Sequence, residues 1–193
     1  MKKHGCFLLW ICLCLFLTSA CLGPGSLLSG AKLIYDRHGV YEKIDNYQLA
    51  AQVNKALFKD KILRKEKCVL DIAVFNGDVL VAGQAPTPEL KESIHQRLST
   101  VHGYRELFIQ IVIKKENEGS LKDGWITTKI RSQILADSTI NPNIFKIVTV
   151  GGIVYIMGDV PKDQAFKVIN IARQTQGVIR VVKMLRYYTI IKE

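Results

Sequence analysis

Cysteine, histidine and catalytic motifs are what this chain has least of. Of its 5 cysteines, Cys6, Cys12, Cys14 and Cys21 crowd the first 21 residues and Cys68 stands alone after them. A lone thiol excludes an intramolecular disulfide. At the head of an apolar run it reads as a small core residue rather than a reactive nucleophile. Histidine is limited to His4, His38, His95 and His102. His95 and His102 flank one helix end with no Cys or carboxylate at ligand spacing, so they read as solvated side chains rather than a metal site. No G-x-S-x-G, G-x-x-x-x-G-K or G-x-G-x-x-G occurs, which removes the nucleophile elbow and the phosphate-binding loops. No two glycines stand three apart, so the clamp of a KH module is missing too. The expectation is a non-enzymatic protein without a metal or bound cofactor.

Long hydrophobic runs are also lacking. The longest, Cys6–Leu17, has 12 residues, against about 20 for a membrane-spanning helix. Lys2 and Lys3 precede it, and Leu17-Thr18-Ser19-Ala20-Cys21 follows. A positive start, a short apolar stretch and small residues before a cysteine form an export signal ending in a lipobox. Residues 1–20 then leave, and Cys21 becomes the mature N-terminus, carrying a covalent diacylglycerol and an N-acyl chain. Thr18 departs from the usual pattern, which has leucine there. An ordinary secretory signal and an uncleaved anchor rank behind this reading. Leu22, rather than an aspartate, follows the cysteine, which agrees with sorting to the outer membrane.

Acidic residues are scarce in the second half. Lys122–Glu193 holds 11 Lys/Arg against 5 Asp/Glu, whereas Asp45–Glu118 holds 11 against 10. The whole chain carries a formal net charge of +10. A basic patch first suggests nucleic acid, but an exported, lipid-anchored chain meets an anionic phospholipid surface instead. The expected partner is therefore a membrane and not nucleic acid.

The chain repeats itself. Asn76–Pro86 matches Gly151–Pro161 at an offset of 75, and Leu49, Val53 and Leu57 match Ile126, Ile130 and Ile134 at 77. Each triplet has helical i, i+4, i+8 spacing. Asp71–Phe75 and Lys146–Val150 are β-rich and run into Asn76-Gly77 and Gly151-Gly152, which predict primed hairpin turns. Val79–Ala82 and Val154–Met157 return. Pro86/Pro88 and Pro161 open second helices over Glu89–Thr100 and Asp163–Thr175. Gly103 and Gly177 are expected to stop them. Leu107–Ile113 and Val178–Thr189 are last strands. The pattern predicts an α/β (α+β) fold: two tandem α-β-β-α-β units, each with two helices on one face of a three-stranded mixed sheet. The expected boundaries are a tether over 21–44, a first unit over 45–114, a linker over 115–123 and a second unit over 124–191.

These residues resemble a known family. The Gly-x-Val-x-Leu-x-Gly second strand, here Gly77–Gly83, and the Gly177-Val178 that opens the last strand look like those of BON domains. Trp125–Leu135 is close to the opening helix of the second domain in dual-BON outer-membrane lipoproteins. Two positions depart from those relatives: Asp36-Arg37-His38 stands for an Asp-Arg-Arg stretch, and Asp45-Asn46 for an aspartate pair. The resemblance implies a non-enzymatic lipoprotein on the periplasmic face of the outer membrane. It implies binding of anionic phospholipid through the second domain, support of envelope integrity and a link to the β-barrel assembly machinery. The runner-up reading is an adaptor that binds such an envelope protein.

The helix from Trp125 to Leu135 supplies the candidate site. Ile126, Ile130 and Ile134 form its core stripe. Trp125 turns about 100° from Ile126, sharing a flank with Thr128, Lys129 and Ser132, and Arg131 is off the core stripe as well. Lys122 assists from the start. Taken from the residues, Trp125 either sits at a membrane interface with the cations on phosphates or packs on the other unit or the last strand; the resemblance favours lipid. An acylated Cys21 already holds the protein on a membrane, while each nearby cation adds only about 1 kcal/mol. The basic unit therefore sets orientation rather than attachment. Its tether, Leu22–Ile44, would reach roughly 25–30 Å. Intact-mass measurement of membrane-extracted protein should find a chain starting at Cys21 with added lipid mass; an unmodified or different N-terminus would sink the assignment.

Overall fold

The computed structural model describes residues 37–59, 62–114 and 120–189. Cys21 and the expected export signal lie outside them. Glu42–Glu193 is one compact unit and holds both sheets. The elements are helices α1 (Arg37–Phe58) and α2 (Ile62–Lys65), strands β1 (Val69–Phe75) and β2 (Asp78–Ala85), helix α3 (Pro88–Leu98) and strand β3 (Glu106–Ile113). Then come helix α4 (Ser120–Ala136), a 3-10 turn (Pro142–Ile144), strands β4 (Lys146–Val150) and β5 (Ile153–Pro161), helix α5 (Lys162–Gln174) and strand β6 (Arg180–Tyr188).

The expected α-β-β-α-β order is present twice, with differences at the edges. Residues 37–44, read as tether, are helical in α1, and the last residues of the expected linker open α4 at Ser120. The short helix α2 has no counterpart in the second half and was not anticipated. Gly103 and Gly177 do not end the helices. Ser99 and Thr175 cap α3 and α5, and the glycines turn the chain afterwards with φ of 85° and 90°.

Each sheet has three strands, ordered β1-β2-β3 and β4-β5-β6. The hairpin strands are antiparallel and the last strand lies parallel to the central one. Both hairpins turn through two residues of positive φ, Asn76 (50°) and Gly77 (77°), then Gly151 (58°) and Gly152 (75°), the conformation of a type I′ turn. Gly83 and Gly158 hold equivalent places on β2 and β5. A Cβ there would lie 2.0 Å from the Val69 carbonyl oxygen or 2.2 Å from that of Ile144, so only glycine lets the backbones approach.

Helices cover one face of each sheet. Leu49, Val53, Leu57, Ile94 and Leu98 pack on Val79, Val81 and Ala85. Ile126, Ile130, Ile134, Val168 and Ala172 pack on Val154, Ile156 and Val160. The other faces meet each other: Ala73, Leu80 and Ala82 join Val150, Tyr155, Met157 and Met184 in a third cluster. Strand β2 is therefore buried along its whole length.

The meeting of the sheets has a pseudo-two-fold relation. Asn76 Nδ2 donates to Asp159 Oδ2 at 3.1 Å, and in the equivalent pair Gln84 Nε2 lies 3.1 Å from where a Gly151 Cβ would be. Contacts that recur with the partners exchanged define an isologous interface. Its two ends differ in chemistry. At the Asp159 end, Arg105 binds Asp78 at 2.6 Å and Asp159 at 2.9 Å, and Arg186 binds Asp78 at 3.1 Å and Glu106 at 2.8 Å. Burial pushes the Asp159 carboxyl up, but hydrogen bonds from Arg105 and Asn76 and the charges of Arg105 and Arg186 outweigh it, so the group sits below the usual carboxylate range.

Leu80→Ala should lower stability by about 2–5 kcal/mol, and probes in both halves should report one unfolding transition. Separate melting of the first half would show that the sheets do not share a core. Because its folded-state pKa is depressed, Asp159 stabilises above the unfolded carboxylate value of about 3.9 and loses that contribution as pH falls through the folded one. Asp159→Asn should therefore reduce the thermal midpoint near neutral pH, and the gap to wild type should close below about pH 4. A gap unchanged into acid would remove the ionic account of this clasp.

Candidate functional site

Helix α4 presents apolar residues on opposite sides. At 100° per residue, Ile126, Ile130 and Ile134 face the core and are buried. Leu121, Trp125, Thr128, Ser132 and Leu135 fall within an opposite sector about 80° wide. All five are exposed, with Leu121 at 91%, Trp125 at 51% and Leu135 at 69%. From Leu121 to Leu135 this stripe runs about 21 Å along the helix. A helix of a globular protein ordinarily turns polar residues outward, so an apolar outer stripe calls for a partner.

The hydroxyls in the stripe are satisfied within the helix. Thr128 Oγ1 donates to the Gly124 carbonyl at 2.9 Å, and Ser132 Oγ to that of Thr128 at 3.0 Å. Such back-bonding lets a hydroxyl enter an apolar medium without an orphaned donor. The Lys129 ammonium lies 4.7 Å from the Trp125 ring centroid, a cation–π contact that keeps charge beside the indole. Lys122 is exposed on the same flank as Lys129.

Arg131 takes a different place. It points off the opposite flank, and its Nη2 donates to the Ile147 carbonyl at 2.9 Å. There it lines a cleft of about 640 Å³ with Asp71, Gln84, Thr127, Lys146 and Thr149. Burial, then the charge of Asp123, raises the Asp71 pKa. Thus Lys122, Trp125, Thr128, Lys129 and Ser132 share one side of α4, while Arg131 is turned toward β4. Leu121 and Leu135 complete the stripe and were missed. The i, i+4, i+7, i+11, i+14 spacing of Leu121, Trp125, Thr128, Ser132 and Leu135 could have found them, but the isoleucine stripe on the other side masks it.

One carboxylate holds the helix start in place. Asp123 accepts from Gly151 N at 2.7 Å and Gly152 N at 2.8 Å, tying α4 to the β4–β5 turn. Asn46 makes a single equivalent bond to Gly77 N at 2.9 Å in the first half. The first turn of α4 thereby becomes rigid enough to present Trp125.

Elsewhere, burial and then Glu66 push the Cys68 thiol up, which keeps thiolate scarce. Among the described residues, no three His, Cys, Asp or Glu stand together as a metal site, and no helix is long and apolar enough to cross a membrane.

The sequence profile of the BON domain matches residues 45–114 and 122–188. The chain is similar to the 21 kDa hemolysin of Actinobacillus pleuropneumoniae, 33% identical over 75% of each protein. It is also similar to the outer membrane lipoprotein DolP of Haemophilus influenzae, 28% identical over 88% of this chain and 87% of that one. The C-terminal domain of CdsD, a structural protein of the type III secretion system of Chlamydia trachomatis, superposes with a TM-score of 0.30 at 12% identity over 74% of this chain and 67% of that one.

Proposed function

The chain belongs to the BON-domain family, and on that footing we propose that it is an outer-membrane lipoprotein, anchored through Cys21, whose second BON unit binds anionic phospholipid along the outer face of α4. The observation that carries this reading is the exposed stripe from Leu121 to Leu135 with the Trp125–Lys129 pair beside it. Similarity to a protein named as an outer membrane lipoprotein supports the location. The protein works as a binding and envelope-supporting factor rather than as a catalyst.

The geometry of α4 supports a mechanism for this reading. A helix lying in the head-group plane buries its apolar face about 5–10 Å deep. Leu121 and Leu135 enter at either end, and the Trp125 ring rests at the polar boundary, where amphipathic aromatics partition. Lys122 and Lys129 reach phosphates from one flank. Thr128 and Ser132 sink between the apolar residues with their hydroxyls bonded to the helix. Acyl chains on Cys21 supply the attachment, and this face decides which unit meets the bilayer and at what angle.

Residues 22–193 mixed with phosphatidylglycerol-containing vesicles should sediment with them, and high salt should weaken the binding by screening Lys122 and Lys129. Trp125→Glu and Leu135→Glu should each reduce binding at least tenfold, because an acid would enter an anionic interface. Both should stay folded, since Ile126, Ile130 and Ile134 are untouched. Folded variants that bind vesicles like wild type would defeat the lipid reading and promote an adaptor for an envelope protein such as the barrel-assembly machinery.

A further inference from the structure

The two ends of the pseudo-two-fold interface carry equivalent loops with opposite chemistry. In the first half Arg105 N donates to the Gly77 carbonyl at 2.7 Å, and in the second half Ile179 N donates to the Gly152 carbonyl at 2.8 Å. Arg105 and Ile179 are thus the same structural position. Arg105 spends its guanidinium on Asp78 and Asp159 and clasps the halves together. Ile179 stands 79% exposed.

Its surroundings connect it to α4. The Ile179 Cδ1 lies 2.9 Å from where a Gly152 Cβ would be, and the Lys122 Cε lies 3.3 Å from where a Gly177 Cβ would be. Gly152 N is in turn bonded to Asp123 on the first turn of α4. The start of α4, the β4–β5 turn and the Gly177–Ile179 loop are therefore tied together at one end. It presents Leu121, Trp125 and Ile179 with Lys122, all exposed. The Asp123 carboxylate among them is 9% exposed and taken up by the two glycine N–H groups.

We propose that Ile179 is a second membrane-inserting residue, which with Lys122 extends the lipid-contact surface from the α4 stripe onto the loop before β6. The inference rests on the lipid reading of α4 and adds a contact outside that helix. Its occupant is an anionic bilayer because the apolar side chain lies beside the Lys122 cation and continues the Lys122 side of the stripe. Two separated insertion points fix the rotation of α4 about its own axis, which a single helical stripe leaves loose. They tip the Lys122 flank downward and the Arg131 flank, with its cleft, upward.

The test uses residues 22–193, which contain every described element, and vesicles of phosphatidylglycerol and phosphatidylcholine against phosphatidylcholine alone. Ile179→Glu should weaken partitioning into the anionic vesicles about tenfold or more, and Ile179→Phe should retain or strengthen it. In wild type, a spin-labelled lipid should broaden the Ile179 methyl resonances as it does the Trp125 indole signal. This readout needs no substitution and decides the matter should Ile179→Glu fail to fold. Loss of binding in Trp125→Glu with full binding in Ile179→Glu, or sharp Ile179 methyls beside a broadened Trp125, would overturn the inference and leave the α4 reading standing. Full binding by both variants would overturn both.

Discussion

The central strands β2 and β5 are each buried on two faces, and most of the architecture follows from that constraint. A strand buried on both sides needs two covering layers, and each repeat supplies only one, its pair of helices. The uncovered faces of the two sheets must therefore cover each other, through Leu80 and Ala82 against Tyr155 and Met157. The fit depends on divergence between equivalent positions. Ala73 and Ala82 are small where Val148 and Met157 are larger, whereas Phe75 and Phe108 are large where Val150 and Val182 are smaller. Such complementarity favours pairing of unlike halves over pairing of like ones, as discrimination between partners requires.

That divergence also separates two tasks. The Asp159 end of the interface gathers arginines and acids into a clasp, with Asp78 only 4% exposed beneath two guanidinium groups. Breaking a buried ion pair is costly because the partner is left charged and unpaired, so this end resists separation of the sheets. The other end holds the Gly151–Gly152 turn, the Asp123 bonds and the loop of Ile179. There the repeat has replaced the ion-pairing arginine with isoleucine, which leaves that end to face outward. One symmetric frame thus yields a closing end and a presenting end.

Much of this was legible beforehand because repeats and periodicities report local chemistry. The triplets Leu49/Val53/Leu57 and Ile126/Ile130/Ile134 gave their helices, and paired positive-φ turns gave the hairpins. The covering of the sheets' second faces was less accessible. The runs Val79–Ala82 and Ile153–Met157 are apolar without alternation, the mark of a strand buried on both sides, but nothing in a run says what lies opposite. The bond of Arg131 was hidden for a related reason: helical phase puts it off the core stripe, yet only tertiary structure brings the Ile147 carbonyl within its reach. Leu135 was hidden because a helix with apolar residues on two sides looks like one buried all round. The start of α1 at Arg37 lacked a signal too.

Rigidity links the fold to the proposed contact. Membrane association through exposed apolar residues gains most when their positions are set in advance, since ordering them on binding costs free energy. Trp125 lies one helical half-turn after Asp123, whose carboxylate is bonded twice to the β4–β5 turn, and its ring is covered by Lys129. Ile179 is held by its own backbone bond to that same turn. The glycines at 151 and 152 supply both N–H groups and the carbonyl that make these bonds, and their positive φ values aim them there. The hairpin turn is therefore the common support of both apolar points, and the sheet interface behind it transmits that order to the rest of the molecule.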